Sequence, residues 1–228
     1  MIDAKGRFII DNYGRKPAFA SFLPGISGIS GIPLWCYYVN RGQCISCFGS
    51  EDKDHSIMEF VPAHQAYLHT GRMGYRTFLK VNGAFYEAFA DTDRQQTMCI
   101  DQNVLRIEEK AQDKGIVTRV TYYTLPEEKL GALVRKVELQ NITNQPVEVE
   151  YLDGAPAIVP YGVNQDSMKN MTQTAKAWMQ VEDVCAGRPY FRVRASMADS
   201  TQVVAIEGGN FSIAIGHDGS RLSPVVDA

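Results

Sequence analysis

Ile116-Val117-Thr118-Arg119-Val120-Thr121-Tyr122-Tyr123 decides the fold class. Its β-branched and aromatic side chains suit a pleated surface. Asp113-Lys114-Gly115 before it reads as a turn, and Leu133 to Gln140 after it as the next strand. Asn141-Ile142-Thr143-Asn144-Gln145-Pro146 then leads into Val147-Glu148-Val149-Glu150-Tyr151. There Val147, Val149 and Tyr151 share one face while Glu148 and Glu150 share the other, which predicts a strand with one buried and one wet face. Phe78-Leu79-Lys80-Val81 runs into Asn82-Gly83, a dipeptide that tolerates the positive φ angles of a hairpin turn. Gln202 to Ile206 and Phe211 to Ile215, flanking Glu207-Gly208-Gly209-Asn210, predict another hairpin. One stretch breaks the rhythm. Between Asn164 and Asp183, the residues Met168, Met171, Ala175, Trp178 and Met179 recur at helical spacing. Pro160 and Gly162 precede it and Gly187-Arg188-Pro189 follow, so a single helix is expected there, its Met and Trp stripe packed in the core or, alternatively, forming a docking surface for another domain. The fold class is mainly β, an antiparallel β-sandwich with one or two short helices.

The 228 residues are 45% hydrophobic and 21% charged, the balance of a globular chain and not of a disordered one. At this length a core needs no disulfide or metal to hold it. With 23 Lys and Arg against 26 Asp and Glu, no strong positive field exists to hold a phosphate backbone, and nucleic acid is not an expected partner. No apolar run of spanning length and no signal-peptide pattern stands in the sequence, so no membrane partner is expected. Cys36, Cys44, Cys47, Cys99 and Cys185 are an odd set that suits reduced thiols in the cytoplasm. In that compartment the three sequons at Asn141, Asn170 and Asn210 read as chance matches. No repeat or linker justifies an internal boundary, so residues 1–228 are expected to form one domain. Arg221 to Ala228 closes on neither a capped helix nor a charged tail. That ending suggests an N-terminal part excised from a longer polypeptide.

Few residue constellations carry chemistry. Cys44-Ile45-Ser46-Cys47 has knuckle spacing, but a structural zinc site wants four converging ligands and no second pair exists. These read as free cysteines in a sheet. His55, His64 and His69 lie near Asp54 and Glu59, yet His64 and His69 are at the wrong interval for one helical face, and no metal is expected. The glycines of Gly25-Ile26-Ser27-Gly28-Ile29-Ser30-Gly31 fit neither a nucleophile elbow nor a phosphate loop and read as a flexible or tightly turned segment. The most suggestive surface is Pro33 to Gln43. There Trp35 and Tyr37 offer aromatic faces for sugar rings, while Asn40 and Arg41 offer hydrogen bonds to hydroxyls. A second patch, His69 to Arg76, adds Arg72 and Tyr75. The competing reading makes Trp35 and Tyr37 inward residues of a strand and Arg41 a turn residue.

The order of segments resembles a family. Gly6-Arg7-Phe8-Ile9-Ile10-Asp11-Asn12-Tyr13, then Pro17 through Phe22-Leu23-Pro24-Gly25, then Trp35-x-Tyr37-Tyr38-Val39-Asn40-Arg41-Gly42 are similar to the start of glycoside hydrolase family 94, nearest the 1,2-β-oligoglucan phosphorylases, relatives of cellobiose phosphorylase. Val134-Arg135-x-Val137-x-Leu139-x-Asn141-x-Thr143 resembles the hairpin of N-terminal sandwiches in several glycoside phosphorylase families. The resemblance implies a sandwich of the galactose-mutarotase-like kind, followed in the intact protein by an (α/α)6 barrel that carries the general acid. It also implies phosphorolysis of β-glucosidic bonds, with inversion, to α-glucose 1-phosphate. Inorganic phosphate is then a substrate and no cofactor is expected. No residue of this chain inherits a catalytic role, so the expectation is a non-catalytic domain that packs on the barrel and borders its oligosaccharide cleft. The expected partners are a β-linked gluco-oligosaccharide and the barrel, with a homodimer as a further expectation from an exposed apolar patch. The rivals are a self-standing carbohydrate-binding module and a mutarotase-type enzyme using His55, His64 or His69.

Overall fold

The computed structural model describes residues 1–23, 25, 31–171, 173, 176–198 and 200–226. Most of the glycine-rich segment from Gly25 to Gly31, and Ala175 of the Met and Trp stripe, lie outside them. The chain is mainly β. Its strands are β1 (Phe8–Asp11), β2 (Ala20–Leu23), β3 (Leu34–Val39), β4 (Ile45–Ser50), β5 (Ser56–Met58), β6 (Arg76–Val81), β7 (Ala84–Ala88), β8 (Gln95–Ile100), β9 (Leu105–Ala111), β10 (Ile116–Thr124), β11 (Leu133–Asn141), β12 (Val149–Gly154), β13 (Met179–Glu182), β14 (Tyr190–Val193) and β15 (Asn210–Phe211). Helix α1 (Ala63–Met73) stands between β5 and β6, and α2 (Gln165–Asn170) between β12 and β13. The described residues form two compact units, residues 1–51 with 61–156 and residues 52–60 with 157–226.

In the first unit one antiparallel sheet runs β1-β8-β9-β10-β11 and a second runs β12-β6-β7. Strands β2, β3 and β4 pair in a third. The β9–β10 and β10–β11 hairpins stand where the sequence places them, with Val120 opposite Ile107 on one side and Val137 on the other. Leu105, Ile107, Ala111, Ile116, Val120 and Tyr122 share the inner face and are buried. Asn82 and Gly83, at φ 48° and 85°, turn β6 into β7 with Val81 opposite Ala84. β12 departs from expectation in its bounds and its faces. It starts at Val149 and ends at Gly154, and Tyr151 is 57% exposed although it stands opposite buried Leu79. The reason is position: β12 is a sheet edge, so its inner face is only partly covered.

The sequence reading missed α1. Its fully buried residues are only Ala66 and Thr70, one turn apart, while Leu68 is exposed and His69 half-buried, so no apolar stripe announces it. The helix ends where Gly74 donates its N–H to Thr70 O. A Cβ on Gly74 would stand 2.5 Å from Thr70 O and 3.1 Å from Ile45 O, so the close approach of helix end and β4 depends on this glycine.

The second unit has a small core of Val159, Val163 and Val193, with Met168, Met179, Met197 and Ile206 packed against it. Two expectations fail here. The helix expected through to Asp183 is not continuous, because α2 ends at Asn170 and Met179–Glu182 is strand, paired with β14. Met179 reaches the core from the sheet, opposite Val193, while Met171 and Trp178 are exposed. Residues 202–206 and 211–215 do not pair as a hairpin among the described residues. Instead Ala205 bridges to Ala195, Phe211 pairs with Tyr190, and Ile215 bridges to Arg221. Each segment is satisfied by a different neighbour, and the buried Asn210 amide fixes the crossing by donating to Val159 O (2.7 Å) and Ser56 O (3.3 Å).

One core residue of the first unit is charged in sequence. Glu109, 1% exposed, accepts at Oε2 from Phe89 N–H (2.8 Å) and Gln96 Nε2 (2.9 Å). Burial pushes its carboxyl above 4.5, with the Gln96 and Phe89 bonds opposing. A carboxyl raised in the folded state binds its proton more tightly there than in the unfolded chain, so folding stability falls as pH rises from 4.5 through the raised value. Urea titrations across that window should show this slope in the wild type and a flatter profile in Glu109→Gln. Gly74→Ala should destabilise by about 1–3 kcal/mol in the same assay, the usual cost of overpacking.

Candidate functional site

β3 aims its side chains alternately. Leu34, Cys36 and Tyr38 are buried, whereas Trp35 is half-buried and Tyr37 is 40% exposed. The strand of the competing reading is therefore present, but the two aromatic residues point outward. Pairing with β2 sets Phe22, 64% exposed, directly opposite Tyr37. The Trp35 and Tyr37 rings are 6.0 Å apart and tilted by 50°. Three aromatic faces thus lie along one open sheet surface, beside a shallow cleft of about 210 Å³ that Pro33 and Glu51 also line. A cleft this small cannot enclose a ligand, since enclosing sites run to several hundred Å³. What it offers is a surface for stacking, with a carboxylate at its rim. Sequence reasoning found Trp35 and Tyr37 and missed Phe22 and Glu51, because cross-strand register, and not spacing along the chain, brings them together.

The other expected site residues stand elsewhere. Asn40 is fully buried and holds its loop: Oδ1 accepts from Phe19 N–H (2.9 Å), and Nδ2 donates to Tyr13 O and Pro17 O (both 3.0 Å). Arg41 donates to Asn40 O (2.7 Å) and Lys16 O (3.1 Å), a turn-bracing role. Arg72 is exposed in the last turn of α1. Tyr75 is half-buried, stacked on Phe48 at 6.5 Å, with the Arg135 guanidinium 4.9 Å over its ring. Burial pushes its phenol up, against the pull of Arg135.

Of the histidines, His64 and His69 are on α1, and His64 lines a second cleft with Phe19, Ala20 and Tyr67. His55 belongs to the second unit, its Nδ1 2.9 Å from Asp52 Oδ1. Cys36, Cys44 and Cys47 are buried free thiols whose pKa values burial pushes up, which makes them packing residues, not nucleophiles. Among the described residues no cluster of three or more His, Cys, Asp or Glu could hold a metal, and no helix is long and apolar enough to cross a membrane.

The densest polar constellation surrounds Arg135, whose side chain is 8% exposed. Its Nη1 donates to Asp153. Its Nη2 bonds Asp153 Oδ1 (2.9 Å) and Thr77 Oγ1 (3.1 Å), and Nε points at Tyr122 Oη (3.3 Å). Gln43 completes the cluster: its Nε2 donates to Thr77 Oγ1 (2.9 Å), its side-chain Oε1 accepts from Arg135 Nη2, and its backbone carbonyl accepts from Tyr122 Oη (2.8 Å). Burial works against the Arg135 charge, but Tyr122 and Asp153 outweigh it and hold the guanidinium above its ordinary range. Each of its three nitrogens has a partner within the protein, so the cluster ties layers together.

Neither a scan of protein-family models nor a search of curated proteins returns a match for this chain.

The Arg135–Asp153 pair yields a direct expectation. Arg135→Ala leaves Asp153, Thr77 and Gln43 without their common donor and should cost about 3–5 kcal/mol in urea denaturation. Trp35→Ala, on the open surface, should change stability by less than about 1 kcal/mol in that measurement.

Proposed function

We propose that this chain is a non-catalytic β-sandwich domain of an inverting glycoside phosphorylase resembling family 94, nearest the 1,2-β-oligoglucan phosphorylases. In the intact protein it packs on the catalytic barrel and borders the cleft that receives a β-linked gluco-oligosaccharide. The observation that carries this reading is the outward row Phe22–Tyr37–Trp35 on a sandwich-like scaffold. Pyranose rings present apolar C–H faces that stack on aromatic side chains, and a carboxylate such as Glu51 at the rim accepts from sugar hydroxyls. An open platform suits a border to a cleft, where the neighbouring module supplies the other wall. The phosphorolytic step then belongs to the barrel, where phosphate attacks the anomeric carbon from one face while an acid protonates the departing oxygen on the other. The buried free thiols suit a cytoplasmic setting.

A second reading, a self-standing carbohydrate-binding module, draws on the same row. Calorimetric titration with linear β-1,2-glucan oligomers separates the two. The domain reading expects weak or no binding by the chain alone, and binding when the barrel is supplied in trans. Binding in the millimolar range or tighter by the chain alone, weakened at least about tenfold (some 1.4 kcal/mol) in Trp35→Ala, favours the module. Release of glucose 1-phosphate by this chain alone would overturn both.

A further inference from the structure

β11 ends the five-stranded sheet, paired with β10 along one side and, among the described residues, with no strand along the other. The other edge strands are two to six residues long, whereas β11 has nine. Its run Leu133-Val134-Arg135-Lys136-Val137-Glu138-Leu139-Gln140-Asn141 holds no proline or glycine, no residue at positive φ and no shift of register against β10. Among the described residues no backbone hydrogen bond ties its outer edge. Long, regular, open edges invite pairing by another strand, and proteins usually blunt them with short length, bulges, prolines or charges. Of those devices β11 carries only charge, on Lys136 and Glu138.

That charge is balanced about the midpoint of the strand. Arg135, Val137 and Leu139 share the inner face, where Val137 stands opposite buried Val120, so Lys136 and Glu138 share the outer one. They flank Val137, the middle residue, and Lys136 Nζ lies 3.1 Å from Glu138 Oε1 with both side chains open to solvent. Turning a second copy of β11 antiparallel about Val137 sets Lys136 of each copy opposite Glu138 of the other. Glu138 also faces Arg119 on β10, which pairs with Glu108 on β9, so Lys136 of the second copy extends an alternation of charge that already crosses the sheet. A slip of two residues one way sets Lys136 against itself, and the other way sets Glu138 against itself. A slip of one residue turns the inner face of the second copy outward. Like charges directly opposite are destabilising, so one register is singled out.

We propose that two copies of this chain associate through β11, paired antiparallel with Val137 opposite Val137 on the two-fold axis and a Lys136–Glu138 pair on either side. The two five-stranded sheets then join into one continuous sheet, and the contact is isologous and closed. Main-chain hydrogen bonds along the open edge supply the affinity, as in other strand additions. The exposed ion pairs add little to it, and their part is to reject the other registers. On the inner face Leu139, 37% exposed, comes opposite Arg135 of the second copy. This edge is separate from the aromatic row of β2 and β3, and its pairing does not depend on what that row binds.

Analytical ultracentrifugation of the chain over a concentration series is the test. The wild type should pass from monomer to dimer with a Kd below about 1 mM. Lys136→Glu alone and Glu138→Lys alone each turn two attractions across the axis into two repulsions, and each should weaken the dimer at least about tenfold. An equimolar mixture of the two variants should recover it as a heterodimer, because every charge then meets its opposite across the axis. A variant that failed to fold could not take part in that recovery. A wild type that stays monomeric at about 1 mM overturns the proposal. So does a dimer that survives both single reversals, which another surface would then hold, or a mixture no more associated than its components.

Discussion

Arg135 paired with Asp153 is the contact on which the first unit turns. Arg135 stands on β11 opposite Tyr122, Asp153 on β12 opposite Thr77, so one guanidinium joins the inner faces of two sheets. A sandwich interior is apolar, and a charge placed there is strongly destabilising unless its partners surround it. Asp153, Thr77, Gln43 and Tyr122 do surround it, and the rings of Tyr75 and Tyr122 lie 4.9 and 6.0 Å from the guanidinium carbon. Because each partner comes from a different segment, the cluster is satisfied only when β6, β10, β11, β12 and the β3–β4 turn are all in register. It thereby specifies the arrangement of layers as well as stabilising it.

Glu109 on β9 makes a second buried polar cluster, accepting from the Phe89 N–H just past β7 and from Gln96 on β8. Together the two clusters divide an otherwise apolar interior, and both are anchored on the hairpin strands β9, β10 and β11. The motif Arg135-x-Val137-x-Leu139-x-Asn141 acquires a physical meaning from this. Its residues alternate onto one face, where Arg135 ties the layers. Asn141 locks the following turn by accepting from Thr143 N–H (2.8 Å) and donating to Gln145 O (2.7 Å). These are architectural roles. The surface with ligand-like chemistry is on β2 and β3 instead, where alternation puts Cys36 and Tyr38 inside and leaves Tyr37 and Phe22 outside.

How far the sequence speaks depends on the range of the interaction. β10, its turn from β9 and the β6–β7 hairpin were legible because β-branched density and the Lys-Gly and Asn-Gly turns act within a few residues. α1 was not, because Gly74 and the small side chains of Ala66 and Thr70 make sense only against β4. The Met168–Met179 periodicity misled because Met179 is drawn into a strand by Val193, a partner outside the window in which periodicity is read. Trp35 and Tyr37 were identifiable as candidate sugar-stacking residues by type, but Asn40 and Arg41, equally plausible by type, are used to hold a loop.

By itself, then, the sequence determined that this chain is mainly β, where its central hairpins turn, and which aromatic residues are candidates for a sugar surface. Each of these follows from side-chain shape and backbone preference over a few neighbouring residues. Tertiary structure alone decided that Phe22 faces Tyr37, that Arg135 meets Asp153, and that Glu109 holds Phe89 and Gln96. Those pairings depend on strand register and on which face of a sheet meets which, and both are set by burial across the whole unit.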